Sequence, residues 1–542
     1  MKPAGGQIEM VIKELEILLE QMQQGSLDEE ARARLKGVIN TLGDMARAVK
    51  ENEATIEELR RQLLQKSGTE KTDKVLKKAG IEPSKKENNP PIARTESKAK
   101  GHGRNGASAY DGARKIKVVH DSLKRGDNCP HCLRGKVYPQ KDPVSLVRVV
   151  GQPPLAATVW DLEQLRCNLC GDPFTAQAPE EVGPEKYDES SASMIAVLKY
   201  GTGVPFNRLE GLQDSLGIPL PASTQWEIVE ETAVILQPAM DELIRQAAQG
   251  EVLHNDDTSM RVMSLMKEAA LVKSDSTKRG ERTGTFTSGI VSTREGERIA
   301  LFFTGRKHAG ENLSRVLERR AAEIGPPIQM CDALSRNLPK NLAVIVAHCL
   351  AHGRRRFVDV ASNFPDECRY VLETLGKVYS NDALARQQGM SPDERLRFHQ
   401  AQSGPVMEGL HAWLTAQFED KKVEPNSGLG KAISYLLKYW SRLTLFLREE
   451  RAPLDNNAVE RALKRAILHR KNSLFYKTEN GAQVGDLFMS LIHTAELAGA
   501  NPFDYLTELQ KHFQEMAASP QEWMPWNYRQ TPEHAGTLMA SG

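Results

Sequence analysis

The chain has 542 residues, of which 40% are hydrophobic and 26% charged. That is ordinary for a soluble globular protein and long enough for roughly three to five domains. The net charge of +1 gives no overall signal for nucleic acid, and no run of about 18 apolar residues occurs, so no membrane span is expected.

The opening MKPAGGQIEMVIKELEIL has acids inside its apolar stretch and no small-residue cleavage site. This argues against a secretory signal and makes the cytoplasm the expected compartment. Over residues 1–66, Ile8, Val11, Leu15, Leu18 and Met22 repeat at helical spacing. GSLDEE interrupts them, with Ser26 and Glu29 forming a capping-box pattern. Leu35, Val38, Leu42, Met45, Val49, Ile56, Leu59 and Leu63 then continue the heptad, with Asn52 at the seam. Such a seam pairs with another helix, either as an internal hairpin or as a coiled coil between chains; self-association is the favoured reading.

Residues 67–118 lose this periodicity and are rich in Lys, Gly, Pro, Ser and Asn. Residues 1–65 hold nine Lys/Arg and twelve Asp/Glu, whereas residues 66–119 hold fourteen and six. A basic flexible arm behind an acidic helical block suits a polyanion partner; a plain solvated tether is the alternative.

Residues 119–178 hold two CxxC pairs, Cys129/Cys132 and Cys167/Cys170. Two such turns present four thiolates to one tetrahedral ion, which closes a structural zinc site without an open position. A redox dithiol would need one pair only. The remaining cysteines, Cys331, Cys349 and Cys368, sit in apolar surroundings and read as reduced core residues.

Residues 179–250 read as short helices broken at GTGVPF and GIPLPAST, a rhythm shared by helix-turn-helix segments and by packing bundles. From residue 251 the pattern changes. EVLHNDDTSMRVM, GTFTSGIVST and RIALFFTG predict three strands, AGENLSRVLERRAAEIG a helix, and PPIQMCD and NLAVIVAHC two further short strands. That order is the one of a mixed α/β sheet of ribonuclease-H-like arrangement. Residues 358–450 read as a long helical insertion, PLDNNAVERALKRA as another helix, residues 481–515 as amphipathic helices, and the stretch from Ala517 as a Pro-punctuated tail.

Three carboxylates stand out. Asp256, with Asp257 beside it, lies in the first strand, Asp332 ends a short buried strand, and Glu460 stands among five cations between Glu460 and Lys471. Buried unpaired acids cost several kcal/mol and need a cation or donors. Carboxylate oxygens suit Mg2+, and paired Mg2+ ions activate water or a 3′-hydroxyl for phosphodiester chemistry. The local readings stay open: Asp-Asp-Thr-Ser is a turn pattern, Asp332 caps a helix starting near Leu334, and Glu460 pairs with Lys464 at i, i+4.

HNDDTSMRV, IQMCDALSRN, AHCLAHGRRRF, PLDNNAVERALKRAILHRKNSLF and GAQVGDLFMSLIHTAELAGANPFDYL resemble the signature blocks of bacterial insertion-sequence-66 family transposases, over nearly the whole chain. The resemblance implies a DDE transposase of multidomain α+β architecture. Its parts are N-terminal coiled-coil helices (1–66), a basic arm (67–118), a four-cysteine zinc-binding module (119–178) and a helical DNA-binding segment (179–250). A ribonuclease-H-like mixed α/β core (251–357) follows, interrupted by the helical insertion (358–450) and completed by the glutamate helix (451–480); a C-terminal segment (481–542) ends the chain. It implies Asp256, Asp332 and Glu460 as ligands of catalytic Mg2+ or Mn2+. Asp257 occupies a place where the family usually has glutamate, which makes it a second-choice ligand.

Asn456 either orients Glu460 or serves as its N-cap. Arg354, Arg355, Arg356, Arg461 and Lys464 are candidate DNA contacts, with a solvated face as the alternative. His348 and His352 have the i, i+4 spacing that suits zinc on a helix, but no third ligand is evident in the sequence. The expected partners are DNA (terminal inverted repeats and target), a second copy of the chain and small accessory proteins of the same element, with nucleoid association when bound to DNA. A nuclease or resolvase that cuts without joining, and a non-catalytic DNA-binding regulator, are the alternatives.

Overall fold

The structure, a computed structural model, describes Leu76 and residues 122–138, 152–166, 173–179, 183, 185–274 and 282–530. The N-terminal helices expected over 1–66, and Cys167 and Cys170, lie outside the described residues. Leu76, inside the expected basic arm, is helical and fully buried in the core described next. The chain divides into two compact units, Met1–Pro83 with Asp241–Ile467 and Ser84–Met240 with Leu468–Gly542.

The first unit is built on a five-stranded sheet. Its strands are β1 (Val252–Ser259), β2 (Phe286–Arg294), β3 (Glu297–Gly305), β4 (Ile328–Cys331) and β5 (Ile345–His348), in the order β3-β2-β1-β4-β5. β2 runs antiparallel to both β1 and β3, while β1, β4 and β5 run parallel. Glu295 and Gly296 both take positive φ, 52° and 93°, which turns β2 into β3 through a two-residue loop. Val252 to Asn255 are buried without alternation, as expected for a central strand covered on both faces. A helix the sequence reading did not anticipate, α1 (Met263–Ser274), separates β1 from β2.

The two faces are covered by different helices. α2 (Ala309–Leu317) packs on one, where Asn312 donates to the Ser288 hydroxyl at 2.8 Å. After β5 come α3 (Leu350–Val360), α4 (Pro365–Gln387), α5 (Pro392–Gln402), α6 (Gly404–Glu419) and α7 (Gly428–Lys438), which form the long helical insertion. Phe357, Leu372, Leu375, Leu410, Ile433 and Leu436 fill its core. Within it, burial works to raise the Asp382 carboxyl, but His399 and Arg395 hold it down to about 2. The chain then enters α8 (Asn457–Ser473), which lies on the opposite face from α2. A Cβ at Gly289, on β2, would stand 3.0 Å from Val459 Cγ2 and from Leu463 Cδ2 of α8. Gly289 and Ser288 are neighbours on one strand, so their contacts mark opposite faces.

The second unit is helical, with Glu189–Ala196, Phe206–Ser215, Glu479–Leu497 and Pro502–Lys511 among its helices. The breaks before Phe206 and before Ala222 coincide with GTGVPF and GIPLPAST. Tyr200 stacks on Phe488 at 5.4 Å, and Gln510 donates to the Ser193 hydroxyl at 2.8 Å. The stretch read as a tail is packed as far as it is described: Trp523, Met524 and Tyr528 are buried, and the Tyr505 hydroxyl donates to the Trp523 carbonyl at 3.1 Å. Three large apolar side chains outweigh the proline punctuation there. No helix among the described residues is long and apolar enough to cross a membrane.

Candidate active site

Strand register brings the first two acids together. His254 pairs with Met330 across the parallel strands, so Asp256 and Asp332, each two residues further on, emerge at the same end of β1 and β4. One side chain links them: the Asn337 amide donates to Asp332 Oδ1 at 2.6 Å and to Asp256 Oδ1 at 3.4 Å. The Asn337 carbonyl is itself held by Asn255 (2.8 Å) and Gln329 (2.7 Å), two buried amides on β1 and β4. Asp332 also accepts from the Leu334 backbone N–H at 3.1 Å, the local turn that the sequence allowed, and a short 3-10 helix, Ser335–Asn337, follows.

Electrostatically the pair is crowded. The Asp256 carboxyl is pushed up to about 7, first by burial and then by the negative charge of Asp332, with Asp257 and Glu460 adding to it. Its hydrogen bond from the Asp257 backbone N–H, at 2.8 Å, works the other way.

Asp257 belongs to another network. Its side chain is 2% exposed and accepts from His308 Nδ1 at 2.8 Å, with Arg336 at 3.3 Å. Successive strand residues point to opposite faces, so Asp257 turns towards α2 while Asp256 turns towards α8. The second-choice ligand is therefore an ion-pair partner at the start of α2.

Glu460 sits half-buried in the first turn of α8. Among the described residues no ion pair joins it to Lys464. Its carboxylate instead lies with Cys349 Sγ and His352, all donor atoms within 4.8 Å of one another; Asp256 and Asp332 are not part of that group. Asn456 fixes where this helix begins. Its backbone carbonyl accepts the Glu460 N–H at 3.2 Å, as an N-cap residue does, but its side chain turns to β1. There its amide donates to the Asn255 carbonyl at 3.1 Å and its oxygen lies 3.1 Å from His254 Nδ1. That oxygen can only accept, so the imidazole proton sits on Nδ1. Burial keeps His254 neutral, with its pKa lowered to about 4.

The basic residues divide. Arg354 is buried, whereas Arg356 is exposed and lies over the Tyr435 ring at 4.1 Å; Arg355 is half-buried. A run of three arginines on a helix spreads over about 200° of its circumference, so one of them must face the core. Arg461 and Lys464 are exposed on α8. His348 and His352 do not share a helix: His348 ends β5 beside Tyr439 and Arg442, and His352 lies in α3. Asn337, Gly289, His254 and Cys349 escaped the sequence reading. Only the CLAH spacing, Cys349 to His352, offered a local signal, because the others act through strand register.

At the cysteine pair, Cys129 and Cys132 form a tight turn in which the Gly135 N–H donates to Cys132 Sγ at 3.4 Å. That donor and the Arg134 N–H hold the Cys132 thiol below its usual range. Leu133 takes φ 57°, and an isolated bridge joins Asn128 to Lys136. Two short antiparallel strands, Gln164–Arg166 and Pro173–Thr175, flank the second pair in sequence.

The family model described as "Transposase IS66 family" matches residues 186–484, more than half of the chain. The chain belongs to the IS66 transposase family. Among its curated relatives, the uncharacterized protein y4jD of Sinorhizobium fredii (strain NBRC 101917 / NGR234) is 28% identical over 353 residues, covering 62% of this chain and 65% of that protein. The uncharacterized proteins y4hP and y4qI of the same organism are each 26% identical, over 70% and 63% of this chain and 68% and 62% of their own lengths. The IS66-family chain thus spans about two thirds of the relatives it matches. No solved structure matches it.

Proposed function

We propose that the protein is a DDE transposase that binds the terminal inverted repeats of its element and carries out Mg2+-dependent cleavage and strand transfer. The observation that supports this reading is the register of β1 and β4, which sets Asp256 beside Asp332, with the Glu460 charge near enough to push the Asp256 carboxyl further up. The sheet order β3-β2-β1-β4-β5, with β2 antiparallel, supports a ribonuclease-H-like core. Family membership supports the same conclusion.

The residues present fit a hard divalent cation. Two carboxylates share a single amide donor, and burial and mutual repulsion hold a proton on Asp256 up to about pH 7. An oxygen-only donor set of this kind suits Mg2+ or Mn2+. Asp256 and Asp332 would hold the ion, with Glu460 as the third ligand. When bound, the ion supplies charge neutralisation at the phosphodiester and an activated water or 3′-hydroxyl. Asn337 orients both aspartates, and Asn456 sets the start of the helix that delivers Glu460. Exposed Arg461, Lys464 and Arg356 are placed to meet DNA phosphates.

In this reading Cys129, Cys132, Cys167 and Cys170 hold a structural Zn2+. The backbone N–H groups around Cys132 favour the thiolate that such a site needs. Residues 1–66 pair copies of the chain, small proteins of the same element assist it, and it works in the cytoplasm on nucleoid DNA. The test is incubation of purified protein with end-containing DNA and Mg2+, comparing wild type with Glu460→Gln. Cleavage and joining by wild type, and loss of both in the variant, is the expected result. Equal cleavage by the two would contradict the metal-site reading. Cutting without joining would make the protein a nuclease, and end binding without cutting by either would make it a regulator.

A further inference from the structure

Glu460 faces a second set of donors that the magnesium chemistry does not use. Cys349 is fully buried, occupies the N-cap position of α3 without a side-chain cap bond to that helix, and its Sγ accepts the Asn456 backbone N–H at 3.2 Å. Three residues on, the His352 N–H donates to the Cys349 carbonyl at 3.2 Å, so the first helical turn sets the two side chains on one side. His352 Nδ1 is buried without a hydrogen-bond partner. The Glu460 carboxylate arrives from a different helix, and the three donor atoms lie within 4.8 Å of one another. A Zn2+ ion binds sulfur at about 2.3 Å and imidazole nitrogen at about 2.0–2.1 Å. Contraction of such a triad by about 1 Å, within reach of side-chain rotation, would bring it to that geometry.

We propose that Cys349, His352 and Glu460 form a second cation site, specific for a borderline-soft divalent ion of the zinc class. Its sulfur and nitrogen donors disfavour Mg2+ and favour Zn2+, Co2+ or Fe2+. Burial, with the charges of Asp455 and Glu460, pushes the Cys349 thiol up to about 12, so a bound ion has to displace the thiol proton. Three protein donors leave a fourth position open, which distinguishes this site from a closed four-cysteine one. Glu460 is then shared between a hard and a soft donor set. The site goes beyond the transposase reading and does not depend on Asp256 or Asp332.

The test uses the full-length, metal-stripped, reduced protein titrated with Co2+, reading both bound equivalents and thiolate-to-cobalt charge-transfer absorption. Cys349→Ala should lose about one equivalent per chain with its share of the band. His352→Ala, at a half-buried position, should weaken that equivalent at least about tenfold and covers the case that Cys349→Ala fails to fold. Cys129→Ser should retain this equivalent while losing the one assigned to the four-cysteine module. Asp256→Asn should abolish DNA cleavage yet keep the cobalt band, so failure of the transposase reading and failure of this one are separable. Cobalt uptake and band intensity equal to wild type in both Cys349→Ala and His352→Ala would overturn the proposal, as would a wild-type protein that shows no thiolate band beyond that lost in Cys129→Ser.

Discussion

Gly289 stands directly across the antiparallel β1–β2 pair from Asp256. The space a side chain would take there is filled by Val459 and Leu463 of the helix that carries Glu460. The absence of a Cβ thus sets how closely the third acid approaches the first. Gly289→Val should force that helix away from the sheet, at an overpacking cost of about 1–3 kcal/mol. Thermal unfolding should show the loss. DNA cleavage should fall further than stability does, because Asp256 and Glu460 lose their register.

Asn456 ties the start of α8 to β1 through its buried amide. Asn456→Ala leaves His254 Nδ1 and the Asn255 carbonyl without that partner. The expected cost is about 1–3 kcal/mol, read by denaturant unfolding. Cleavage should drop while DNA binding persists, since no phosphate-facing group is changed.

Two adjacent aspartates should behave oppositely. Asp257 is engaged by His308 and Arg336, so Asp257→Asn should lower stability by about 1–3 kcal/mol but leave the Mg2+ requirement of cleavage unchanged. Asp256→Asn should reduce cleavage at least about a hundredfold with little loss of stability. Parallel melting and cleavage assays of the two variants decide between this assignment and its reverse.

The raised pKa of Asp256 makes the metal-free protein pH-sensitive. Its folded-state value, about 7, lies above the ordinary 3.8, so the native state keeps a proton that the unfolded chain releases. The stabilising contribution is complete below about pH 4 and is lost as pH rises to about 7. Melting of the metal-free protein should therefore fall over this range by more than in Asp256→Asn. Added Mg2+ should restore stability most at the alkaline end, where it replaces the missing proton.

Much of the sheet was legible because its strands alternate with strong turn signals: REGE between β2 and β3 needed two positive-φ residues and has them at Glu295 and Gly296. The breaks in the helical segment were legible for the same reason. What escaped was set by partners distant in sequence. Asn337 matters because Asn255 and Gln329 reach it from two strands, and Gly289 matters because it faces Asp256; neither fact has a local signature. Asp256 and Asp257 are indistinguishable by spacing, and only the pleat sends them to opposite faces. The packed end at Trp523–Tyr528 was hidden by proline and polar composition, because burial there depends on Tyr505.

The central claim is that Asp332 touches a divalent cation during DNA cleavage. Its most direct measurement is cleavage of end-containing DNA by Asp332→Cys, assayed in Mg2+ and in Mn2+, since a thiolate ligand disfavours the harder ion. The account predicts no cleavage in Mg2+ and recovered cleavage in Mn2+. Wild-type cleavage by the variant in Mg2+ would contradict it.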